Sequence, residues 1–314
     1  MKIVFVEPLG VDIKLLESLK IYFKTQGHYL RYFHDRNENP EEIIKRTGDA
    51  DILTVSNIPI NKKIIDACPN LKLINVAFTG YDHIDLEACK KRSIMVCNAA
   101  GYSTTAVSEL SLGLAISLLR NIVKLDANTR IPGDRNNYLG IELSGKKVGI
   151  IGTGNIGLAT AKLFHAFGCE ILAYSRTTKN IDFLNYVSLD KLLTDSDIIS
   201  LHIPANDETK NIINEEKLNL MKSSAILINT ARGQVVDTQA LARALKSNKI
   251  AGAGIDIYEQ EPPLPKNHPL LDAPNTILTP HIAYATKEAM IKRLGIVKTN
   301  IESFVKGDLQ NKII

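Results

Sequence analysis

The residues Val148-Gly149-Ile150-Ile151 run without a break into Gly152-Thr153-Gly154-Asn155-Ile156-Gly157, and a helical pattern follows over 156–167. A short apolar strand that turns on glycines straight into a helix leaves few architectures open. Gly152 permits the tight turn, Gly154 lets the backbone approach a pyrophosphate, and Gly157 lets the helix pack closely on the strand. The helix start, at Asn155 and Ile156, offers N–H groups and a partial positive charge to phosphate. In this strand–turn–helix setting the motif points to a bound dinucleotide. The bland alternative is a glycine-rich turn that binds nothing.

The rest of the chain repeats the same alternation of apolar strands and amphipathic helices, the mark of parallel sheets covered by helices. In the first hundred residues, strands are expected at 2–8, 29–33, 51–56, 71–78 and 94–98. Helices are expected at 13–25, 40–45, 62–67 and 84–91, the last with Asp82 or His83 near its start. A long helix is expected from Ser103-Thr104-Thr105 to about Asn128, then a connection over 131–144 carrying Pro132, Gly133 and Gly140. A second series follows, with strands at 147–151, 170–175, 198–203, 225–229, 251–257 and 276–279. Helices near 215–221 and 238–246 separate its later strands, and a final helix is expected at 286–305. The fold class is therefore α/β, with two doubly wound parallel-sheet domains. A Rossmann nucleotide domain, 102–287, is expected to be inserted into a flavodoxin-like substrate domain, 1–101 and 288–314.

Composition narrows the function class. A length of 314 residues suffices for two cores, and a net charge of +4 from 38 basic and 34 acidic residues is too small to argue for nucleic acid. Cys68, Cys89, Cys97 and Cys169 show no metal-like spacing and read as reduced thiols, and no metal is expected. The N-terminus reads as a first strand and lacks a signal-peptide cleavage pattern. The most apolar stretch, 110–119, lies between Glu109 and Arg120 and is too short to span a bilayer. A cytoplasmic protein without a membrane partner is the expectation.

The end of the second strand of the nucleotide domain bears on the choice of cofactor. An acidic residue there would bond a ribose 2′-hydroxyl and repel a 2′-phosphate. Ser175-Arg176-Thr177 stands at this place, and no carboxylate follows in sequence until Asp182. Arg176 could pair with a 2′-phosphate, with Ser175 and Thr177 adding hydrogen bonds, which favours NADP(H). Alternatively Arg176 stacks on adenine and the site accepts NAD(H) or both.

Downstream, Asn229-Thr230-Ala231-Arg232-Gly233, Glu261-Pro262 and Pro280-His281 supply a cation, a carboxylate and an imidazole. Reduction of a 2-keto acid needs such a set. A cation holds the carboxylate and polarises the carbonyl, an acid protonates the forming alkoxide, and a nicotinamide lies over the carbonyl carbon. Arg232 and His281 each follow a strand, which places them at the carboxyl edge where open sheets bind ligands. A planar guanidinium suits a carboxylate, and a carboxylate such as Glu261 beside His281 would stabilise the imidazolium. Taken singly, each has a structural reading: a surface ion pair, a turn residue and a half-buried histidine.

With these motifs the chain resembles the D-isomer-specific 2-hydroxyacid dehydrogenases over nearly its whole length. The resemblance covers Phe78-Thr79-Gly80-Tyr81-Asp82-His83-Ile84-Asp85, the glycine loop, Leu201-His202-Ile203-Pro204, 229–233, 252–256 with Glu261-Pro262, and Thr279-Pro280-His281. It implies that Arg232 anchors the substrate. It also implies that His281 is the acid in reduction and the base in oxidation, with Glu261 as its partner. By the same resemblance, backbone N–H groups of Thr79 and Gly80 would hold the carboxylate, Asp256 would contact the nicotinamide amide, and His202 and Pro204 would line the cofactor cleft, with Thr230 a further cofactor-binding candidate. The segment Glu261-Pro262-Pro263-Leu264-Pro265 is most similar to glycerate dehydrogenases and hydroxypyruvate reductases.

Hydroxypyruvate or glyoxylate, reduced to D-glycerate or glycolate, are thus the expected small-molecule partners, with Tyr81, Tyr102 and Tyr284 as candidates to line the pocket. For the region from Ser103 to about Asn128, with apolar residues on more than one face, the resemblance implies a homodimer, against a fully buried intrachain helix. Two features depart from the family: Ser175 replaces the acidic residue of its NAD-using members, and the chain has no tryptophan. An NAD(H)-sensing, corepressor-like binding protein is the alternative class. A phosphonate or formate oxidoreductase on a related fold is a third reading.

Overall fold

Runs such as Ile52-Leu53-Thr54-Val55 and Leu73-Ile74-Asn75-Val76 have no polar alternation, and the strands they form are buried at every position. This is the pattern of a parallel sheet covered on both faces. The computed structural model describes residues 1–135 and 137–314. The chain divides into two units, Met1–Ser103 with Ala285–Ile314, and Thr104–Tyr284.

In the first unit the order is β1 (Lys2–Phe5), α1 (Ile13–Thr25), β2 (Tyr29–Tyr32), α2 (Pro40–Thr47), β3 (Ile52–Val55), α3 (Lys62–Ala67), β4 (Leu73–Val76), α4 (Leu86–Lys91) and β5 (Met95–Asn98). The five strands pair in parallel in the order β2-β1-β3-β4-β5, the flavodoxin arrangement. Helix starts are set by side-chain caps. Asn61 accepts the N–H of Ile64 and Asp85 that of Ala88, each such cap being worth about 1 kcal/mol. Asp85, rather than Asp82 or His83, caps α4. Ile84 is held extended by a bridge to Ile60, whose N–H donates to the His83 carbonyl and whose carbonyl accepts the N–H of Asp85. The helix can begin only after that bridge.

The second unit begins with α5 (Thr104–Leu119) and α6 (Ile122–Thr129). A single helix to about 128 is not what forms, because Asn121 adopts φ +52° and the two helices bend by 59°. Asn tolerates this left-handed conformation better than most residues. Most of the apolar residues of α5 are buried, including Leu112, Leu114, Ala115 and Leu119, whereas α6 buries none. Of the expected connection 131–144, Asn136 lies outside the described residues, and the others form no helix or strand.

There follow β6 (Lys147–Ile151), α7 (Asn155–Ala166), β7 (Glu170–Tyr174), β8 (Leu184–Tyr186), α8 (Leu189–Asp195), β9 (Ile198–Leu201), α9 (Glu215–Leu220), β10 (Ile226–Asn229), α10 (Thr238–Lys246), β11 (Gly252–Ile255) and β12 (Thr276–Leu278). All seven strands are parallel, in the order β12-β11-β10-β9-β6-β7-β8. From β6 the chain builds outward through β7 and β8, then returns to β6's other side at β9. Loops leaving β6 and β9 therefore diverge, and ligands of open sheets bind in that crevice.

The three-residue β8 and the seven-residue α8 add to the expected elements; α8 carries Leu189, Leu192 and Leu193 on one helical face, and Ser188 caps it at Lys191. The last helix, α11 (Lys287–Val305), is capped by Thr286 and packs in the first unit. There a buried amide network ties it to the sheet. Asn300 donates to the Asn75 side chain and to the Asn98 carbonyl, and Asn75 donates to Val297. Among the described residues no single helix is long and apolar enough to cross a membrane.

Candidate active site

The glycine loop joins β6 to α7. Gly152 has φ +96°, and a Cβ there would lie 2.4 Å from the His202 carbonyl oxygen, so only glycine fits between the β6 and β9 loops. At Gly157 a Cβ would meet the Gly152 carbonyl oxygen at 1.9 Å, which explains the close seat of the helix on its own loop. Gly154 differs, because a Cβ there would meet no protein atom within 4 Å. Among the described residues nothing crowds that position, which leaves room for a group to approach the backbone. Gly154 also stands at the N-cap without a side-chain cap, so no side chain competes for the first N–H groups of this twelve-residue helix. The donors that the loop and the following Asn155 and Ile156 present fit a pyrophosphate.

Other cofactor candidates surround this loop. Ser111 and Thr230 pair through their hydroxyls at 2.9 Å, fixing Thr230 just beyond β10. His202 Nε2 lies 2.9 Å from Ser200 Oγ, while its enclosed Nδ1 meets no partner among the described residues. Burial pushes the His202 imidazole down to about 3, so it is neutral at physiological pH and serves as a wall or a hydrogen-bonding group rather than an acid. An enclosed ring nitrogen without a protein partner, at the crevice edge, fits a polar cofactor atom. Pro204 accepts from Thr209 Oγ1 at 2.7 Å in the turn that follows.

Beyond β7, Arg176 extends its side chain into solvent, 84% exposed, with Nη1 3.6 Å from Glu208 Oε2. Glu208 belongs to the loop after β9 and was not singled out from sequence. Its charge alone carried no signal, and only the fold brings it to Arg176. Tyr186, on β8, was also missed; its hydroxyl donates to Thr153 Oγ1 at 2.9 Å within the glycine loop.

Arg232, Glu261 and His281 follow three adjacent strands, β10, β11 and β12, at their carboxyl ends. Strands in a sheet are about 4.8 Å apart, so the three loops leave the edge within about 10 Å of one another. Asn229 shapes the first loop, its amide donating to the Arg232 carbonyl at 2.9 Å and its oxygen accepting the N–H of Ala231 at 3.0 Å. Gly233 is pressed against the second loop, where a Cβ would lie 2.0 Å from the Tyr258 carbonyl carbon. The residue after Arg232 thus has to be glycine for the loop carrying Glu261 to approach.

His281 Nδ1 lies 2.8 Å from both carboxylate oxygens of Glu261. An ionised carboxylate can only accept, so Nδ1 carries the proton toward Glu261 and Nε2 is left to exchange a proton with a ligand. The imidazole is mostly covered, with 18% exposure, and the Tyr284 ring meets it edge-on at 5.1 Å. His281 itself sits at φ +55°, an uncommon place for a residue with a side chain.

Fully buried Asp256 holds that turn. Its carbonyl accepts the N–H of His281, and its carboxylate accepts from Ile282 N, Ala283 N and Thr279 Oγ1. Burial pushes the Asp256 carboxyl above its ordinary range, against the opposing effect of these donors. Asp256 therefore anchors the loop that carries His281.

In the first unit, Thr79 and Gly80 follow β4, with the Thr79 carbonyl accepting from the Asn98 amide at 2.7 Å. Tyr102 is buried there, its ring 6.0 Å from that of Phe78, and Tyr81 packs against the core.

A glycine loop for a dinucleotide and an Arg–Glu–His edge on one parallel sheet define a nicotinamide-dependent oxidoreductase. The family model for the D-isomer specific 2-hydroxyacid dehydrogenase NAD binding domain matches residues 112–283. A glyoxylate reductase from Thermofilum pendens is 41% identical over 285 residues, covering 87% of this chain and 84% of that one. A hydroxypyruvate reductase from Blautia hydrogenotrophica is 36% identical over 317 residues, covering 98% and 96%. Among solved structures, an acyclic imino acid reductase in complex with NADPH and D-Arg superposes with a TM-score of 0.91 at 34% identity, over all of both chains.

The chain belongs to the D-isomer-specific 2-hydroxyacid dehydrogenase family. It is an NAD(P)-dependent oxidoreductase that interconverts small 2-keto acids and 2-hydroxy acids, and the sensing, corepressor-like reading is not favoured.

Proposed function

We propose that this chain reduces hydroxypyruvate or glyoxylate to D-glycerate or glycolate, with NADP(H) preferred over NAD(H). The observation that carries the chemistry is the Glu261–His281 pair at 2.8 Å on the sheet edge that also bears Arg232. The bound nicotinamide supplies the hydride. Arg232 presents its guanidinium to the carboxylate and carbonyl oxygens of the substrate, favouring the charge that develops there. His281 delivers the Nε2 proton to the forming alkoxide, and Glu261, bonded to Nδ1, fixes the tautomer and ring orientation. In the reverse direction the same nitrogen accepts the proton. The family resemblance adds the backbone N–H groups of Thr79 and Gly80 as a hold on the carboxylate. It also adds Asp256 as a contact to the nicotinamide amide.

For the cofactor, the glycine loop with Asn155, Ile156 and the walls at His202, Pro204 and Thr230 is assigned to the nucleotide. Ser175, Arg176 and Thr177 are assigned to a 2′-phosphate, and Arg176's exposed guanidinium supports that assignment. The chain works as a homodimer in this reading. Support comes from large apolar side chains left in solvent along one segment: Ile122, Val123, Ile131, Leu139 and Ile141. A cytoplasmic setting suits four cysteines that are all free and buried.

The test is oxidation of NADPH and NADH, followed by absorbance, against hydroxypyruvate, glyoxylate, pyruvate and branched 2-keto acids. Fastest turnover with hydroxypyruvate or glyoxylate supports the substrate assignment. Fastest turnover with a branched acid overturns it and leaves the reaction class standing.

A further inference from the structure

The turn after β7 is fastened to the glycine loop. Thr153 Oγ1 lies 3.5 Å from the Thr177 carbonyl oxygen, and the Tyr186 hydroxyl bridges Thr153 Oγ1 at 2.9 Å and the N–H of Lys179 at 3.2 Å. Side chains on this turn therefore stand beside the loop assigned to the pyrophosphate.

A second turn, after β9, is equally well made. Asn206 Oδ1 accepts the N–H groups of Glu208 at 3.0 Å and Thr209 at 3.1 Å, and the N–H of Asn206 donates back to Thr209 Oγ1 at 2.9 Å. The result is Glu208 Oε2 at 3.6 Å from Arg176 Nη1, an ion pair too long to be a good hydrogen bond. In NAD-binding sheets of this type the carboxylate that meets the ribose comes from the end of the second strand, where Ser175 stands here. Glu208 brings a carboxylate to the same neighbourhood from a different strand.

We propose that Glu208 is a cofactor-specificity residue that opposes Arg176, limiting the preference for NADP(H). The inference rests on the reading that Arg176 meets the 2′-phosphate. With a 2′-hydroxyl in place, the carboxylate can accept its proton and keep its ion pair. With a 2′-phosphate, which carries between one and two negative charges, the guanidinium must turn from Glu208, and two anions then share one cation. Both side chains are exposed, at 84% and 73%, so the effect is modest and weakens with salt. Lys179, on the same turn, adds positive charge that Glu208 does not hold at bonding distance.

The test is fluorescence titration of the full chain with NADPH and NADH, giving Kd for each in the parent protein, Glu208→Gln, Arg176→Ala and the double variant. We expect Glu208→Gln to raise the preference for NADPH about three- to fivefold at low ionic strength, and less at high salt. Arg176→Ala should lower that preference, and Glu208→Gln should then add less than it does when Arg176 is present. An unchanged preference in Glu208→Gln, while Arg176→Ala still lowers it, overturns the role of Glu208 and leaves Arg176 as the phosphate contact. An unchanged preference in Arg176→Ala overturns the reading of Arg176 itself, and the opposition with it.

Discussion

The carbonyl of Asp256 accepts the N–H of His281 at 2.8 Å, and the Asp256 carboxylate accepts those of the next two residues, also at 2.8 Å. His281 is thereby held at φ +55° with its ring turned to Glu261. A buried aspartate at the end of one strand thus sets the geometry of the imidazole at the end of the next.

Replacing Asp256 by Asn should cost catalysis more than folding. With the amide NH2 in place of Oδ2 it faces the Ala283 N–H, one of the three carboxylate bonds is lost, and the 281–283 turn relaxes. A misplacement of about 1 Å at such a group lowers kcat by about a hundredfold. Steady-state kinetics with hydroxypyruvate, alongside a thermal melt, checks this. A variant with full kcat would show that the turn holds without the carboxylate.

Glu261→Gln tests the tautomer. A glutamine amide can donate to Nδ1 and leave the proton on Nε2, which removes the lone pair that takes up the hydroxyl proton, so kcat for oxidation of D-glycerate should fall by about two orders of magnitude while the protein stays folded. Activity within a few-fold of the parent would mean that Glu261 is a loop residue without a part in the reaction.

The glycine loop yields a contrast between neighbours. Gly157→Ala puts a Cβ where the Gly152 carbonyl oxygen stands, and should destabilise by about 1–3 kcal/mol in denaturant unfolding. At Gly154 a Cβ meets no protein atom within 4 Å, so Gly154→Ala should unfold like the parent yet bind NADPH about tenfold more weakly or worse. Equal binding by the Gly154 variant would remove the pyrophosphate from this loop.

The β9 strand start carries a pH-dependent tie. Burial pushes the Asp197 carboxyl up, but the Lys222 ammonium and the Lys147 N–H, each at 2.9 Å, outweigh it and hold Asp197 below its ordinary value. A depressed folded value means the carboxylate stabilises above the unfolded carboxyl range, and that this is lost as pH falls through the folded value. Asp197→Asn should therefore cost about 1 kcal/mol at neutral pH and progressively less below about pH 4. Urea titrations at several pH values measure it, and a pH-independent cost would contradict the sign.

What could be read from the sequence was what short segments determine by themselves. The glycine loop and the fully apolar strands are local, and they led to two doubly wound sheets and a nicotinamide enzyme. Features that depend on distant contacts were not legible. Asp85 starts α4 only because Ile84 bridges to Ile60. The kink at Asn121 is a conformation that asparagine permits but does not announce. β8 is three residues on a sheet edge, yet it supplies the tyrosine that binds the glycine loop to the turn after β7. The next carboxylate after Arg176 along the chain is Asp182, whereas the one facing it in space is Glu208.

The most direct test of the account is kcat for hydroxypyruvate reduction in the parent chain and in His281→Ala, with cofactor affinity titrated in both. The account predicts a loss of about two to four orders of magnitude in kcat with cofactor binding retained. Turnover by the variant within a factor of a few of the parent would contradict it, because the proton would then come from elsewhere than the imidazole that Glu261 holds.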